Sequence, residues 1–361
     1  MGDDLTGACD AAAAFLGLGR RVRVLLDASA CDSPNIPADV LALTAESRNL
    51  PADHAAERVA NCIARMEANA PGALLFQKID SAARGNLATE IDAALRASGA
   101  ALALVTPSFP DGGRTVADGV LSIRDWSGQD ATVNLLEMFR AIGIDAAILP
   151  TGSEEELLLA IGRAIADGVR VLLCDAVEQT HLDRITAAAS RVPHQILWAG
   201  SAGLARALGA QLPSPPAHLT GPPARRSGRT ILFTGTQHPV TVLQVAEVER
   251  NATHSSHARS IHRLVDPGAT PEFIIAAFSA EKPAALILTG GETASFVLRA
   301  LGATGIHLAG EIAPGIPWGM VEGGMADGCT VVTKSGGFGQ RDALVRAFQF
   351  CESVSEALSA P

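Results

Sequence analysis

A nine-residue segment in the first third of the chain concentrates side chains that could bind a small polar molecule. It reads KIDSAARGN, runs from Lys78 to Asn86, and follows the apolar run Leu74–Ile79. Arginine can grip a carboxylate through two parallel hydrogen bonds, and Asp and Asn can hold hydroxyl groups. A structural turn seldom needs so many different polar groups, so we interpret the segment as a site for a polyhydroxy acid. Its predicted site residues are Lys78, Asp80, Ser81, Arg84 and Asn86.

Two further arginines follow apolar runs of the same kind. Arg48 comes after Val40–Thr44, and Arg114 comes after Leu102–Thr106. Loops that follow parallel strands gather at one edge of a sheet. A single surface arginine is usually only solvated, but three of them in such loops indicate an anionic ligand. We therefore add Arg48 and Arg114 to the predicted binding residues.

The start of the chain places two carboxylates, Asp3 and Asp4, directly before a helical pattern that begins at Leu5. Acids at a helix N-terminus are ordinary capping residues. In phosphoryl transfer, one of them could instead accept the proton of a hydroxyl that attacks phosphorus, or orient that hydroxyl. We predict Asp3, Asp4 and Asp80 as candidate catalytic acids, and the sequence does not separate the base from an orienting residue. Since such an acidic turn usually follows a strand, we also expect a missing first strand or a start codon further upstream.

Three junctions in the last third of the chain join an apolar run to a helical pattern through glycine. They read TGTQH (Thr234–His238), TGGET (Thr289–Thr293) and TKSGGFG (Thr333–Gly339). Glycine lets the backbone approach an anion closely, and the following helix N-terminus presents free N–H groups. Tight turns need glycine for geometry alone, but three such turns, with Lys334 beside the last, favour a nucleotide phosphate. The P-loop pattern and an intact G-x-G-x-x-G are both absent from the sequence.

The segment GEIAPGIPWG, Gly310–Gly319, is stiffened by two prolines and carries three glycines. It could form the wall of an adenine pocket, or it could be a structural crossover loop. Its spacing does not favour either interpretation.

Apolar runs and helical patterns alternate along the chain, which predicts strands and helices taking turns. The predicted strands are Arg21–Asp27, Val40–Thr44, Leu74–Ile79, Leu102–Thr106, Ala146–Pro150, Val169–Asp175, Gln195–Ala199, Thr230–Thr234, Ala285–Thr289 and Thr330–Lys334. The predicted helices are Leu5–Leu18, Ala52–Ala68, Leu87–Ser98, Thr132–Ile142, Ser153–Asp167, Leu182–Arg191, Ala202–Leu212, Val240–Arg250, Pro271–Ala280, Thr293–Leu301 and Asp342–Ser355.

This alternation predicts an α/β fold with two domains, each a mainly parallel sheet flanked by helices, and an active site in the cleft between them. The stretch LPSPPAHLTGPPARRSGR holds five prolines and can be neither a helix nor an inner strand. We therefore divide the chain into a domain of residues 1–212, a Pro-rich linker of residues 213–229 and a domain of residues 230–361.

The composition limits the ligands that we expect the protein to bind and the cellular compartment in which we expect it. A net charge of −10 over 361 residues argues against nucleic acid as a ligand. The six cysteines form no C-x-x-C pair, so we expect reduced and mostly buried thiols. No secretory signal and no apolar stretch of about 18 residues is visible, which predicts a cytoplasmic protein without a membrane partner. The histidines lack metal-binding spacing, so any metal should be Mg²⁺ that arrives with a nucleotide.

Nine motifs together give the chain a family resemblance. In chain order they are DDLTGACD, ESRNL, KIDSAARGN, PSFPDGGRT, GSAGLA, TGTQHPVT, TGGETA, GEIAPGIPWG and TKSGGFG. The chain resembles the four-carbon acid sugar kinase family, in which these motifs occur in the same order. The resemblance implies an N-terminal sugar-acid-binding domain and a C-terminal nucleotide-binding domain. It also implies ATP-dependent phosphorylation of threonate, erythronate or 3-oxo-tetronate.

The resemblance assigns residues to two sides of a reaction. On the sugar-acid side it implies Asp3, Asp4, Lys78, Asp80, Arg84 and Asn86. On the nucleotide side it implies Thr236, His238, Gly290, Gly291, Glu292, Gly336, Gly337 and Phe338, to which the same turns add Thr293 and Ser335.

Three functions are compatible with these patterns. The first is a kinase that uses ATP and Mg²⁺ on a small anionic sugar acid, as a monomer or a homodimer. The second is a non-catalytic sugar-acid-binding or regulatory protein. The third is a dinucleotide-dependent oxidoreductase, which would need an acidic ribose-binding residue after a G-x-G-x-x-G turn. That pair of features is missing from the sequence, so the kinase is the favoured hypothesis.

Overall fold

The computed structural model describes residues 1–32, 37–124, 130–213, 228–251, 259–264 and 269–359. Its strands are β1 (Val22–Leu25), β2 (Val40–Leu43), β3 (Leu75–Lys78), β4 (Leu102–Thr106), β5 (Arg114–Ala117), β6 (Val120–Arg124), β7 (Asp130–Asn134), β8 (Ala146–Leu149), β9 (Val171–Cys174), β10 (Ile196–Gly200), β11 (Thr230–Thr234), β12 (Arg259–Arg263), β13 (Ala285–Thr289), β14 (Gly305–Ala313), β15 (Ile316–Glu322) and β16 (Thr330–Lys334). Its α-helices are α1 (Leu5–Ala13), α2 (Ala52–Asn69), α3 (Leu87–Ser98), α4 (Leu135–Arg140), α5 (Glu154–Ala166), α6 (Gln179–Ala189), α7 (Ala202–Gln211), α8 (Pro239–Asn251), α9 (Pro271–Glu281), α10 (Gly291–Ala300) and α11 (Ala343–Ser359).

The described residues form two compact α/β units. The N-terminal unit contains residues 1–3, 31–32 and 44–213, and the C-terminal unit contains residues 4–30, 37–43 and 228–359. A single boundary at residue 212 does not describe this grouping, because two stretches near the start of the chain pack with the C-terminal residues. The proposed linker lies outside the described residues between 214 and 227, and the predicted domain division stays a prediction. Among the described residues, no helix is both long enough and apolar enough to cross a membrane.

The N-terminal unit is built on a parallel five-stranded sheet with the strand order β3-β10-β4-β9-β8. The middle strands β4, β10 and β9 are buried along their whole length, as expected for strands covered on both faces. Gly200 at the end of β10 pairs with both Lys78 and Thr106. The loops that follow β3, β10 and β4 therefore begin at the same level on the carboxyl edge of the sheet.

The first three residues extend this sheet beside β3. Gly2 forms parallel bridges with Lys78 and with Thr44. The Lys78 N–H donates to the Met1 carbonyl over 2.7 Å, and the Ala45 N–H donates to the Gly2 carbonyl over 2.8 Å. A strand-like segment thus precedes the acidic pair, although the sequence led us to expect none, and it carries Asp3 to the carboxyl edge.

The C-terminal unit is built on an eight-stranded sheet with the order β12-β11-β13-β16-β15-β14-β1-β2. Strands β12, β11, β13 and β16 are parallel, and β14 and β15 form an antiparallel hairpin within the sheet. Alternate residues of one strand enter different cores: Ile231 and Phe233 pack with α1, α9 and α10, whereas Leu232 packs with α8 and α11. Helices therefore cover both faces, and the mainly parallel α/β fold predicted from the sequence is confirmed.

The predicted helix Thr132–Ile142 is wrong in its first part. Residues Asp130–Asn134 form β7, the third strand of an antiparallel sheet with the order β5-β6-β7. An antiparallel ladder pairs these residues with Val120–Arg124 of β6. Helix α4 begins only at Leu135, where the Asn134 side chain accepts a hydrogen bond from the Glu137 N–H and caps it.

The GEIAPGIPWG segment is not a crossover loop, because its two halves belong to the hairpin β14–β15. Ala313 pairs with Ile316 across the two-residue turn Pro314–Gly315, and Gly315 has a φ of +77°. This is the conformation that glycine tolerates best, and proline suits the position before it. The glycine at the end of the motif, Gly319, faces β14 so closely that a Cβ atom would overlap the His307 carbonyl oxygen.

We predict that Gly319→Ala destabilises the protein, whereas Gly162→Ala stabilises it. Gly319→Ala pushes a methyl group into the backbone of β14 and should cost about 1–3 kcal/mol in the free energy of unfolding. Gly162 lies within α5 with no atom within 4 Å of a built Cβ, so Gly162→Ala should gain up to about 1 kcal/mol from helix propensity. Thermal unfolding of both variants measures these changes in stability. Equal melting temperatures for Gly319→Ala and the wild type would contradict the close approach.

Candidate active site

A buried ion pair links the start of the chain to the ESRNL motif. The Arg48 guanidinium grips the Asp3 carboxylate with two hydrogen bonds, from Nε to Oδ2 over 2.8 Å and from Nη2 to Oδ1 over 2.9 Å. The Asp3 side chain is buried, and that of Arg48 is largely buried. The Ser47 N–H also donates to the Asp3 carbonyl over 3.0 Å. Both the backbone and the side chain of Asp3 are thereby fixed to one loop.

A second pair of the same geometry lies in the KIDSAARGN segment. Arg84 donates from Nε to Asp80 Oδ1 over 3.0 Å and from Nη2 to Asp80 Oδ2 over 2.6 Å. Arg48 Nη2 lies 3.6 Å from Asp80 Oδ2, so the two pairs form one network. Burial alone would raise the pKa of Asp80, but the hydrogen bonds and charge of Arg84, with the charges of Arg48 and Lys78, lower it well below the usual range. The Asp80 carboxylate is buried while the Arg84 side chain is 59% exposed.

The remaining predicted residues of this unit have different surroundings. Lys78 is buried, and its amine donates to the Ile79 carbonyl over 3.1 Å while its charge acts on Asp80. Ser81 is buried in the same turn. The Asn86 amide donates to the Leu50 carbonyl over 2.8 Å and ties KIDSAARGN to ESRNL.

Two predicted residues lie apart from this network. Arg114 begins β5, and its guanidinium donates a hydrogen bond to the Gly112 carbonyl in its own loop. Asp4 belongs to the other compact unit. The structure therefore brings Asp3, Arg48, Lys78, Asp80 and Arg84 together.

Glu90 is a buried acid of this region that the sequence patterns did not identify. It lies in α3, is 3% exposed, and its Oε1 atom has no hydrogen-bond partner in the described part of the chain. Burial first, and then the Asp3 charge, raise the pKa of Glu90 to about 7, against the opposing effects of the Ser47 hydroxyl and Arg48. A signal was available in the sequence, because Glu90 lies one helical turn from the apolar residues Leu87 and Ala94 on the buried face of the helix.

The three glycine turns of the C-terminal unit lie side by side. They follow the adjacent parallel strands β11, β13 and β16, and Thr234, Thr289 and Lys334 occupy the same register across these strands. The Gly290 N–H donates to the Lys334 carbonyl over 2.8 Å, which joins the second turn to the third. The gathering of the three turns at one carboxyl edge, predicted from the sequence, is therefore observed.

Glycine is required where these turns touch. A Cβ atom on Gly336 would lie 2.8 Å from the Thr236 hydroxyl, and one on Gly337 would lie 3.2 Å from His238 Nε2. The His238 ring accepts a hydrogen bond from the Val240 N–H through Nδ1, so it caps the start of α8. Thr293 is buried, and Glu292 beside it is exposed in the first turn of α10. The N-cap residue of helix α10 is Gly290, which has a φ of +98° and provides no side-chain cap.

The third turn is held from inside by Lys334. This side chain is 1% exposed, and its amine donates to the carbonyls of Ser335 over 2.8 Å and Phe338 over 3.1 Å. Gln244 of α8 donates to the carbonyls of Phe338 and Gly339 over 3.0 and 3.1 Å. Burial lowers the pKa of Lys334 to about 7. Lys334 is therefore part of the scaffold of the turn.

The inward carbonyls fix the direction of the N–H groups that follow them. In a planar trans peptide, the C=O of one residue and the N–H of the next point in opposite directions. Since the carbonyls of Ser335, Gly336 and Phe338 point to Lys334 or Thr241, the N–H groups of Gly336, Gly337 and Gly339 point away from them. Within the described part of the chain, none of these three N–H groups donates a hydrogen bond. The turn thus presents a set of free donors suited to an anion.

Asp4 packs against the second glycine turn. Its carboxylate caps α1, with Oδ1 accepting from the Gly7 N–H over 2.6 Å. Its other oxygen lies against Gly291 so closely that a Cβ atom there would overlap it. The two neighbouring acids therefore differ in their contacts: Asp3 pairs with Arg48, and Asp4 contacts the TGGET turn.

The turn of the β14–β15 hairpin approaches the third glycine turn. A Cβ atom on Gly315 would lie 2.8 Å from the Phe338 ring, and the Gly315 N–H donates to the Glu311 carboxylate over 3.1 Å. The Phe338 ring therefore packs against the hairpin. A role of this segment as an adenine wall stays a prediction.

Comparisons with known proteins match two family models to successive parts of the chain. A family model for a sugar-binding N-terminal domain matches residues 1–138 and 139–208, and one for a nucleotide-binding C-terminal domain matches residues 222–344. A D-threonate kinase from Bordetella bronchiseptica is 31% identical and aligns with 97% of this chain and 96% of its own length. A 3-oxo-tetronate kinase from Haemophilus influenzae is 24% identical, covering 95% of this chain and 97% of its own.

A solved structure shows the same fold. The crystal structure of a Haemophilus influenzae protein is 21% identical and covers 97% of this chain and 99% of its own, with a TM-score of 0.68. Two family models together span most of the sequence, and one relative is above 30% identical along nearly all of it. These matches assign the chain to one family. The chain belongs to the four-carbon acid sugar kinase family.

Proposed function

We propose that this protein is an ATP-dependent kinase that phosphorylates a hydroxyl group of a four-carbon sugar acid of the threonate, erythronate or 3-oxo-tetronate type. The observation that carries the proposal is the alignment of three glycine turns at one sheet edge, with the N–H groups of the third turned outward. The names of the relatives support the substrate class. Mg²⁺ carried with the nucleotide, a cytoplasmic location and a homodimer are further predictions of the same proposal.

The C-terminal unit would bind the phosphates of ATP. The outward N–H groups of Gly336, Gly337 and Gly339 can donate hydrogen bonds to a polyphosphate. The N–H groups at the start of α10, which has no side-chain cap, can do the same. The missing side chain at Gly291 leaves room for the Asp4 carboxylate beside the second turn. Ser335, Thr236, His238, Glu292, Thr293 and Phe338 are the proposed flanking residues of this site.

The N-terminal unit would bind the sugar acid. Arg84 is fixed by its two hydrogen bonds to Asp80, and its side chain is 59% exposed, so a substrate carboxylate can approach the guanidinium group from solvent. Asp80 stays ionised because of its lowered pKa, and it can accept hydrogen bonds from hydroxyl groups. We propose that Arg48 and Lys78 set the local charge, with Asn86 holding the two loops together, and that Ser81 and Arg114 complete the site.

Asp4 is the favoured proton acceptor among the three candidate acids. Both oxygens of Asp3 and of Asp80 are held by guanidinium N–H groups, which makes these two carboxylates weak bases. Asp4 contacts Gly291, where the transferred phosphoryl group would lie. In the proposed step, the substrate hydroxyl oxygen bonds to the γ-phosphorus, the bond to the β-phosphate oxygen breaks, and the hydroxyl proton passes to Asp4.

We predict that ADP release requires both ATP with Mg²⁺ and a four-carbon acid. A coupled ADP assay over D-threonate, L-threonate, D-erythronate and 3-oxo-tetronate should show turnover with at least one of them. Thermal shift in parallel reports binding of each ligand. Stabilisation by an acid, with no ADP release and no stabilisation by ATP, would contradict the kinase and favour the non-catalytic sugar-acid-binding protein.

We predict that Asp4→Asn lowers kcat by about 100-fold or more, the usual contribution of a proton acceptor, while the protein stays as stable as the wild type. Asn keeps an oxygen for the Gly7 N–H, so the cap of α1 survives. Asp4→Ala should lose kcat to the same extent and also about 1 kcal/mol of stability, because it removes the cap.

The matched control for Asp4 is Asp145→Asn, since Asp145 is an exposed acid. Steady-state ADP release of the three variants measures the loss of the proton acceptor, and their thermal unfolding measures the loss of the helix cap. A kcat within about threefold of the wild type in Asp4→Asn would show that Asp4 only caps the helix.

A further inference from the structure

Glu90 is a buried acid that the proposed reaction leaves without a role. Its backbone N–H donates to the Asn86 carbonyl over 2.9 Å, so it is tied to the end of the KIDSAARGN segment. Its side chain is 3% exposed, and its Oε1 atom accepts no hydrogen bond from any described residue. An ionised carboxylate with an unsatisfied oxygen is costly in such a place, whereas a neutral acid is much less so.

The charged groups that act on Glu90 belong to the sugar-acid site. They are Asp3, which disfavours its ionised form, and Arg48, which favours it; the Ser47 hydroxyl also favours ionisation. In the described part of the chain, α2 buries Ala55, Val59, Cys62 and Ile63 and exposes the charged residues Asp53, Glu57 and Arg58, and strands β4 and β10 contain no charged residue. The ionisable residues of α4, Glu137 and Arg140, are exposed.

The protonation of Glu90 decides the net charge of this cluster. The site contains three cations, Arg48, Lys78 and Arg84, and the two carboxylates Asp3 and Asp80. With neutral Glu90 the cluster has one excess positive charge, and with ionised Glu90 it has none. A sugar acid brings one negative charge at neutral pH, which the excess charge would balance.

We propose that Glu90 is a positioning residue that sets the charge of the sugar-acid site and is neutral when an anionic substrate is bound. The inference rests on the proposed function, because it assumes that this cluster binds a sugar acid. When the anion binds to a molecule with ionised Glu90, one proton from the buffer bonds to the Glu90 carboxylate. Substrate binding and proton uptake are thereby coupled.

Thermodynamic linkage between proton binding and substrate binding gives the direction in which pH changes the affinity for the acid. In the free protein, burial and Asp3 place the pKa of Glu90 at about 7. A bound anion disfavours the ionised form further, so the pKa in the complex is higher than in the free protein. Affinity for the acid is therefore greatest below pH 7 and falls as the pH rises from about 7 to the pKa of the complex.

Isothermal titration calorimetry with D-threonate tests this in the wild-type protein. A rise of one unit in the pKa of Glu90 on binding makes the affinity fall about tenfold between pH 6 and pH 9. The same rise gives an uptake of about half a proton at pH 7.5, read from binding enthalpies in two buffers of different ionisation enthalpy.

Three variants test whether Glu90 takes up the proton. Glu90→Gln imitates the neutral acid, so its affinity should change less than about twofold over the same pH range, with no proton uptake. Glu154→Gln removes an exposed glutamate of α5 and should keep the wild-type pH dependence. Glu90→Asp keeps a titrating carboxyl group and should restore the pH dependence.

Two outcomes would overturn the inference and leave the proposed function intact. One is D-threonate binding to the wild type with no pH dependence and no proton uptake, and the other is a Glu90→Gln variant that retains the uptake. If none of D-threonate, D-erythronate and 3-oxo-tetronate binds the wild type at pH 6 or at pH 9, the proposed sugar-acid site is wrong. The proposed role of Glu90 is then wrong with it.

Discussion

One buried lysine determines how the third glycine turn can meet a ligand. Lys334 has almost no contact with water, and its amine is satisfied by carbonyls of the turn that it precedes. A peptide of the turn cannot rotate without removing one of these acceptors from a buried amine, which is costly. The outward direction of the N–H groups is therefore set before any ligand binds. Donors oriented in advance need no reorganisation when a charged group arrives.

In the N-terminal unit, ion pairs between side chains hold the candidate binding groups in fixed positions. There, guanidinium groups and carboxylates hold each other in fixed geometry, with Arg48 on Asp3 and Arg84 on Asp80. The mutual attraction keeps Asp80 ionised despite its burial. Side chains that are already fixed lose little entropy on binding, so more of the interaction energy contributes to affinity. Both candidate sites are thus rigid for reasons that are visible in single hydrogen bonds.

Much of the fold was predictable because buried parallel strands are continuous apolar runs. The strands β4, β11, β13 and β16 have the bounds that their sequences predict, and the glycine turns after the last three are where the motifs place them. The strands β5 to β7 and β12 were missed because they are short and partly exposed, with many polar residues. The hairpin β14–β15 was missed because its prolines and glycines are typical of loops.

The site was predictable in its residue types but not in its contacts. Sequence order cannot show that Lys334 turns inward, since that depends on Thr241 and Gln244, about 90 residues away. It cannot show that Asp3 and Asp4 enter different compact units, because adjacent residues share every local pattern. Glu90 was missed because a single glutamate in a helix is usually solvated, and only the packing shows that this one is buried.

The most direct test of the account is a crystal structure with a non-hydrolysable ATP analogue and Mg²⁺. The outward N–H groups predict phosphate oxygens within about 3 Å of the backbone nitrogens of Gly336, Gly337 and Gly339, with the Lys334 amine still donating to the turn carbonyls. A triphosphate bound away from the three glycine turns, or one contacted directly by the Lys334 amine, would contradict it.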